Sequence, residues 1–137
     1  MKMHEDGLNR FFGPLESLIM DIVWEYQEVT ARRVQELLET DLSYTAVMTV
    51  LNRLHEKGNI GKTTSGRGRG KVTCYYALQS KEEFLQEQTR IVTEGLIHEF
   101  GDLVVNHMVN ALQEADPKLM KLLEERVSEW KRDKSNE

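Results

Sequence analysis

At Gly58 the hydrophobic period of this sequence changes, and that change constrains the fold more than any other feature. Before it, apolar residues recur at helical steps; after it, they alternate. Leu15, Leu18, Ile19, Ile22, Val23 and Tyr26 mark a first helix, opened by Gly13-Pro14 and running to about Glu25. Val29-Thr30 reads as a turn or a single extended pair, and Thr30 as the N-cap of a second helix. That helix carries Val34, Leu37 and Leu38 on one face and ends near Thr40. Ser43 caps a third helix, Tyr44 to Lys57, stopped by Gly58. Ile60 to Thr64 then reads as extended, and Val72, Cys74, Tyr76 and Leu78 alternate with Lys71, Thr73, Tyr75 and Ala77 as in a half-buried strand. Ser65-Gly66-Arg67-Gly68-Arg69-Gly70 between them is a hairpin tip. Three helices followed by a hairpin describe a winged helix-turn-helix.

Helical periodicity returns at Ser80, which caps a helix with Glu82 and Glu83 in its first turn, where the helix dipole favours acids. Leu85, Val92, Leu96 and Phe100 mark one face of it. Gly101-Asp102 interrupts, Leu103 to Leu112 forms a short apolar helix, and Asp116-Pro117 opens a last one. There Met120, Leu123, Val127 and Trp130 fall at steps of three and four, a narrow seam for pairing with another helix. The expected fold is mainly α with a small β-hairpin: a winged helix-turn-helix DNA-binding domain followed by a C-terminal helical dimerisation region. The corresponding boundaries are a loose lead-in at residues 1–12, the winged domain at 13–79, the helical region at 80–132 and a polar, frayed tail at 133–137.

The net charge of −5 argues against a nucleic-acid partner until it is divided along the chain. Residues 43–80 hold six basic side chains (Arg53, Lys57, Lys62, Arg67, Arg69 and Lys71) against the single acid Glu56, and both flanks are acidic. Affinity for DNA follows the local basic face, and acidic flanks help to fix which surface meets it. The stretch Leu18 to Met20 is broken by Asp21, so no membrane insertion is expected, and Met1 to Asp6 lacks an apolar signal region. The single cysteine, Cys74, excludes an internal disulfide and a multi-cysteine metal cluster. A cytoplasmic protein without cofactor or metal is the expectation.

The third helix has two faces. Val47, Val50, Leu51 and Leu54 suit a core; Tyr44, Thr45, Met48, Thr49, Asn52 and Arg53 occupy the other side. In a helix-turn-helix this outer face lies in the major groove. Thr45 and Thr49 can bond base edges or lay a methyl on thymine, Asn52 suits adenine, and Arg53 suits guanine or a phosphate. A merely solvated face would also be polar, but the lack of carboxylates from Tyr44 to Leu54, in a chain rich in them, favours DNA. At the hairpin tip, Arg67 and Arg69 between single glycines can approach a narrow minor groove. Lys62 and Lys71 flank them on the wing strands.

Ser43-Tyr44-Thr45-Ala46-Val47-Met48-Thr49-Val50-Leu51-Asn52-Arg53-Leu54, followed by Lys57-Gly58, resembles the recognition-helix signature of the penicillinase-repressor family (BlaI, MecI and the copper-responsive CopY). Gly13-Pro14-Leu15-Glu16 to Trp24 and Tyr75-Tyr76-Ala77-Leu78 are similar too, and the resemblance runs from about Gly13 to Trp130. It implies a homodimeric repressor that binds an inverted-repeat operator in double-stranded DNA, often with TACA/TGTA cores, at antibiotic-resistance or stress operons. It also implies dimerisation through the C-terminal helices. The copper branch senses metal through a C-terminal cysteine cluster, which this chain lacks, so the BlaI/MecI-like branch is the better match. In that branch a sensor-triggered protease cuts after an Asn-Phe-like site. Asn106-His107 stands where that site would be, with His107 in place of the aromatic, and a regulatory protease is the implied partner.

No enzymatic constellation competes with this reading. His4, His55, His98 and His107 have no metal-ligand spacing with one another or with Cys74, and His98 and His107 fall on separate expected helices. Cys74 has no evident base and is expected to pack against the core. The rivals are a winged-helix module that binds protein without sequence-specific DNA binding, and RNA binding through the wing. Phosphate competition separates the first from DNA binding, and duplex competition the second.

Overall fold

The computed structural model describes residues 7–136, so positions 1–6 of the expected lead-in, and Glu137, lie outside the described residues. The chain divides into two compact units that meet between Gln88 and Thr89, later than the boundary at Ser80 expected from the sequence. In chain order the elements are α1 (Pro14–Tyr26), β1 (Glu28–Thr30), α2 (Ala31–Leu37), α3 (Tyr44–Glu56), β2 (Ile60–Ser65), β3 (Val72–Ala77), α4 (Lys81–Ala115) and α5 (Pro117–Ser135). A single 3-10 turn, Gly68–Gly70, sits between β2 and β3.

Side-chain caps start these helices where the sequence places them. Thr30 Oγ1 accepts from the Arg33 amide (3.1 Å), and Ser43 Oγ accepts from that of Ala46 (3.1 Å). Ser80 and Glu83 exchange a reciprocal pair: Ser80 Oγ accepts from the Glu83 amide, and Glu83 Oε1 from the Ser80 amide, at 3.0 and 2.9 Å. Hydrogen bonding from the Ser80 amide, and secondarily from the Ser80 side chain, holds the Glu83 carboxyl below its ordinary range. Asp116 Oδ1 accepts from the Lys118 amide (2.9 Å) at the start of α5. Gly58, at φ 83°, ends the α3 segment in a conformation that favours glycine.

The three strands form an antiparallel sheet in the order β1-β3-β2. Tyr75 on the central strand faces Val29 on one side and Lys62 on the other. Because side chains alternate between faces, Tyr75 and Ala77 turn towards the helices together with Val29 and Ile60. This corrects the expected core face of β3: Val72 and Leu78 are exposed, Cys74 is half-buried on the opposite side, and Tyr75 is the buried residue. Both faces of that strand carry apolar side chains, so alternation alone could not choose between them. On the far face Tyr76 lies across Gly61, where a Cβ would come within 2.5 Å of the tyrosine ring. A substitution there would push the ring aside.

The core of the first unit is Ile19, Met20 and Val23 of α1, Val34 of α2, and Val47, Val50, Leu51 and Leu54 of α3, closed by the sheet. The α3 face expected to be buried is buried. On α1 the buried stripe is rotated: Leu18 and Tyr26 are exposed, and Met20 is inside. The lead-in is not loose over its described part. Gly7 to Asn9 form a helical turn that buries Leu8, and Phe12 is buried as well. Phe12 stacks on Phe84 of α4, centroids 4.8 Å apart, and Trp24 stands 5.6 Å from the same ring. Trp24 Nε1 donates to the Gln79 carbonyl (3.0 Å). The aromatic cluster explains why the first turns of α4 belong to the winged unit.

Glu16 ties the start of α1 to the end of α3. Its carboxylate accepts from the Gly13 amide (3.1 Å) and from Lys57 Nζ (3.2 Å). Burial alone would raise its pKa, but the Gly13 bond, the Lys57 hydrogen bond and charge, and the Arg53 charge together hold it below the ordinary 4.5. A depressed carboxylate pKa stabilises the fold above the ordinary value, and the gain is lost as the pH falls through the folded-state value. Glu16→Gln is therefore expected to lower thermal stability at neutral pH, by a deficit that shrinks on acidification. A deficit constant from neutral pH to acid would contradict the ion pair as its source.

In the second unit α4 is two helices that meet at a kink at Phe100 (φ −132°, ψ 23°), so the expected interruption lies one residue before Gly101-Asp102 and a separate helical segment follows it. His98 and His107 stand on opposite sides of that kink. The expected frayed tail is also helical, since α5 extends to Ser135.

Candidate nucleic-acid interface

Helix α3 presents the outer face expected for recognition. Tyr44, Thr45, Thr49, Asn52 and Arg53 are exposed, on the side opposite the buried Val47, Leu51 and Leu54. Met48 is half-buried, and the Tyr75 hydroxyl donates to its sulfur at 3.9 Å, so it joins α3 to the central strand as well as facing outward. Burial, and secondarily the neighbouring Tyr44, raises the Tyr75 pKa, which keeps that hydroxyl protonated. Thr49 Oγ1 donates to the Thr45 carbonyl (2.9 Å). Its proton is committed within the helix, leaving an acceptor and a methyl for any base edge. Arg53 lies close enough to Glu16 to feel its charge, and Asn52 is exposed without an intramolecular hydrogen bond among the described residues.

The wing is a hairpin in register from Ile60↔Ala77 to Ser65↔Val72. Its tip requires glycine at Gly66, where φ is 89° and a Cβ would collide with the Gly70 carbonyl. Gly68 also has positive φ, at 57°. Arg67 and Arg69 are exposed and make no ion pair among the described residues, and Lys62 and Lys71 are exposed on or beside the wing strands. Thus the winged unit brings every expected DNA-contacting residue onto α3 or the hairpin. Sequence reading passed over Arg32, whose guanidinium lies 5.5 Å from the centroid of the Tyr44 ring. Its signal was masked because it sits in an acidic stretch next to Arg33, and Arg33 is ion-paired to Glu36 (3.3 Å).

The residues expected at a dimer interface separate into two groups. Leu85 is half-buried and packs on the core of the winged unit. Val92, Leu96 and Phe100 on α4, and Val127 and Trp130 on α5, are exposed; Met120 and Leu123 are half-buried. Asn106 and His107 are exposed in the helical part of α4 that follows the kink at Phe100. Away from the interface, His55 Nδ1 is bonded to the Ile60 carbonyl (3.1 Å). No helix among the described residues is long and apolar enough to cross a membrane.

The fold and the placement of α3 beside an arginine-tipped hairpin define a winged-helix transcription regulator. Residues 12–129 match the penicillinase repressor family, and the chain belongs to it. It is accordingly a transcriptional repressor that binds DNA. No curated protein sequence matches it significantly. Among solved structures it is similar to a possible transcriptional regulator from Methanosarcina mazei Go1, with 17% identity and a TM-score of 0.48 over 78% of this chain and 83% of that one. It is also similar to a PadR family transcription regulator from Clostridium difficile R20291, with 17% identity and a TM-score of 0.42 over 64% of this chain and 98% of that one.

Proposed function

We propose that this repressor acts as a homodimer on an inverted-repeat operator, with α3 in the major groove and the wing arginines on the flanking backbone or minor groove. The observation that carries the reading is the outer face of α3, exposed and free of carboxylates from Tyr44 to Leu54, beside a hairpin whose Arg67 and Arg69 make no ion pair among the described residues. Exposed Asn52 has the two-sided amide that pairs with adenine. The dimer contacts are the apolar residues of α4 beyond Thr89 and of α5, because no described residue of that unit is buried within a single chain. Cutting between Asn106 and His107 by a regulatory protease would divide that interface and release the operator. The bond lies inside a helix, so α4 must open locally before an extended-chain protease can reach it.

The test compares operator with random duplex. Asn52→Ala is expected to lose about 1–3 kcal/mol more on the operator than on random DNA. Thr49→Val, which keeps the methyl and removes a hydroxyl already committed to Thr45, is expected to lose less than Asn52→Ala. Equal losses on both duplexes for Asn52→Ala would assign it to backbone positioning and not to base reading.

A further inference from the structure

On the winged unit, an open cleft of about 320 Å³ separates the start of α2 and α3 from the start of β3, next to the hairpin tip. Arg32 and Tyr44 form one wall, Lys71 and Thr73 the other, with Thr30 at the side and Met48 at the floor. No carboxylate lines it. We infer that this cleft is a phosphate-binding site for the DNA backbone, in which Arg32 and Lys71 together hold one phosphodiester between the recognition helix and the wing. The inference rests on the DNA-binding reading and adds Arg32 of α2 to the residues already expected to meet DNA, pairing it with Lys71 on one phosphate.

Three features support it. First, the two adjacent arginines of α2 differ. Arg33 is ion-paired to Glu36 (3.3 Å), whereas Arg32 makes no ion pair among the described residues and stands over the Tyr44 ring, 5.5 Å from its centroid. A cation held over the ring by that contact keeps its N–H donors for a phosphate. Second, hydroxyl protons are available. Thr30 Oγ1 only accepts, from the Arg33 amide, and the Thr64–Thr73 hydroxyl pair (3.0 Å) uses one of its two protons internally. Third, Tyr44 is the first residue of α3, so a phosphate seated here lies next to the part of the recognition helix that approaches base edges first. The cleft is open and polar, which suits a strand of DNA passing over it better than an enclosed small molecule.

The experiment titrates the full chain against a mixed-sequence duplex over a range of salt, since phosphate contacts are independent of sequence. Wild type is compared with Arg32→Ala, Lys71→Ala, the double variant R32A/K71A, and Arg33→Ala as the ion-paired control. Thermal melts establish that each variant folds. The double variant is expected to flatten the slope of log affinity against log salt by about 0.9 per protomer, the signature of one phosphate. Arg33→Ala is expected to leave the slope unchanged. Inorganic phosphate added at constant ionic strength is expected not to compete. A double-variant slope equal to wild type overturns the site while leaving the DNA reading intact. A flattening of twice the expected size overturns the shared phosphate, and Arg32-dependent competition by inorganic phosphate overturns the DNA backbone as its occupant. Wild-type duplex binding that does not depend on salt would overturn the DNA reading and this site with it.

Discussion

A chain truncated after Asn106 is expected to stay folded, to become monomeric, and to bind a full operator about 10²–10⁴-fold more weakly than the intact protein. The core of the winged unit ends at Phe84, so the cut removes none of its buried residues. What it removes is all of α5, with Met120, Leu123, Val127 and Trp130, and the end of α4 with Met108 and Val109. These side chains bury little within one chain; Trp130 is 59% exposed. Exposed apolar surface on that scale is stable in water when a second copy covers it. Joining two winged units turns the second half-site into an intramolecular event, and the loss of that effective concentration sets the size of the effect. Sedimentation with a gel-shift titration on full and half operators checks both parts. A truncated protein that still dimerises and holds the full operator like the intact chain would exclude release by cleavage at Asn106-His107.

The second large effect is in the core beneath the recognition helix. Leu51 is fully buried on the inner face of α3, among side chains from α1, α2 and the sheet. Leu51→Ala is expected to cost about 2–5 kcal/mol, the sum of lost transfer energy and the cavity left behind. That is a large part of the roughly 5–15 kcal/mol of a typical domain. In urea the midpoint should fall while the slope of the transition stays the same. A loss below about 1 kcal/mol would mean that α3 does not rest on this core as described. Asn52→Ala, one residue along and exposed, is expected to leave the melt unchanged, which separates the two faces of one helix.

The faces of α3 were legible in the sequence because its apolar and polar residues segregate cleanly at helical spacing. Val47, Val50, Leu51 and Leu54 are buried as their period requires. The helix starts at Thr30, Ser43, Ser80 and Asp116 were legible for a similar reason, since each cap is a local exchange between neighbours. What periodicity could not supply was the buried face of β3, where the more apolar set, Val72, Cys74, Tyr76 and Leu78, is not the one turned to the helices. Tyr75 is buried on β3 because Val29, a strand partner far along the chain, sits opposite it. The same applies to Phe12, whose ring stacks on that of Phe84. Gly101-Asp102 reads as a breaker by propensity, and α4 leaves helical geometry beside it, at Phe100. Arg32 was hidden by its acidic surroundings and shows itself only through the ring of Tyr44 beneath it.

The most direct measurement is a footprint of the intact protein on the DNA upstream of its own gene, repeated with Asn52→Ala and with the double variant R67A/R69A. Wild type is expected to protect two half-sites related by two-fold symmetry. Asn52→Ala should lose that protection at concentrations where it still binds random duplex, and the wing variant should weaken binding to every duplex tested. Even protection without a preferred site, identical for wild type and Asn52→Ala, would contradict sequence reading by α3.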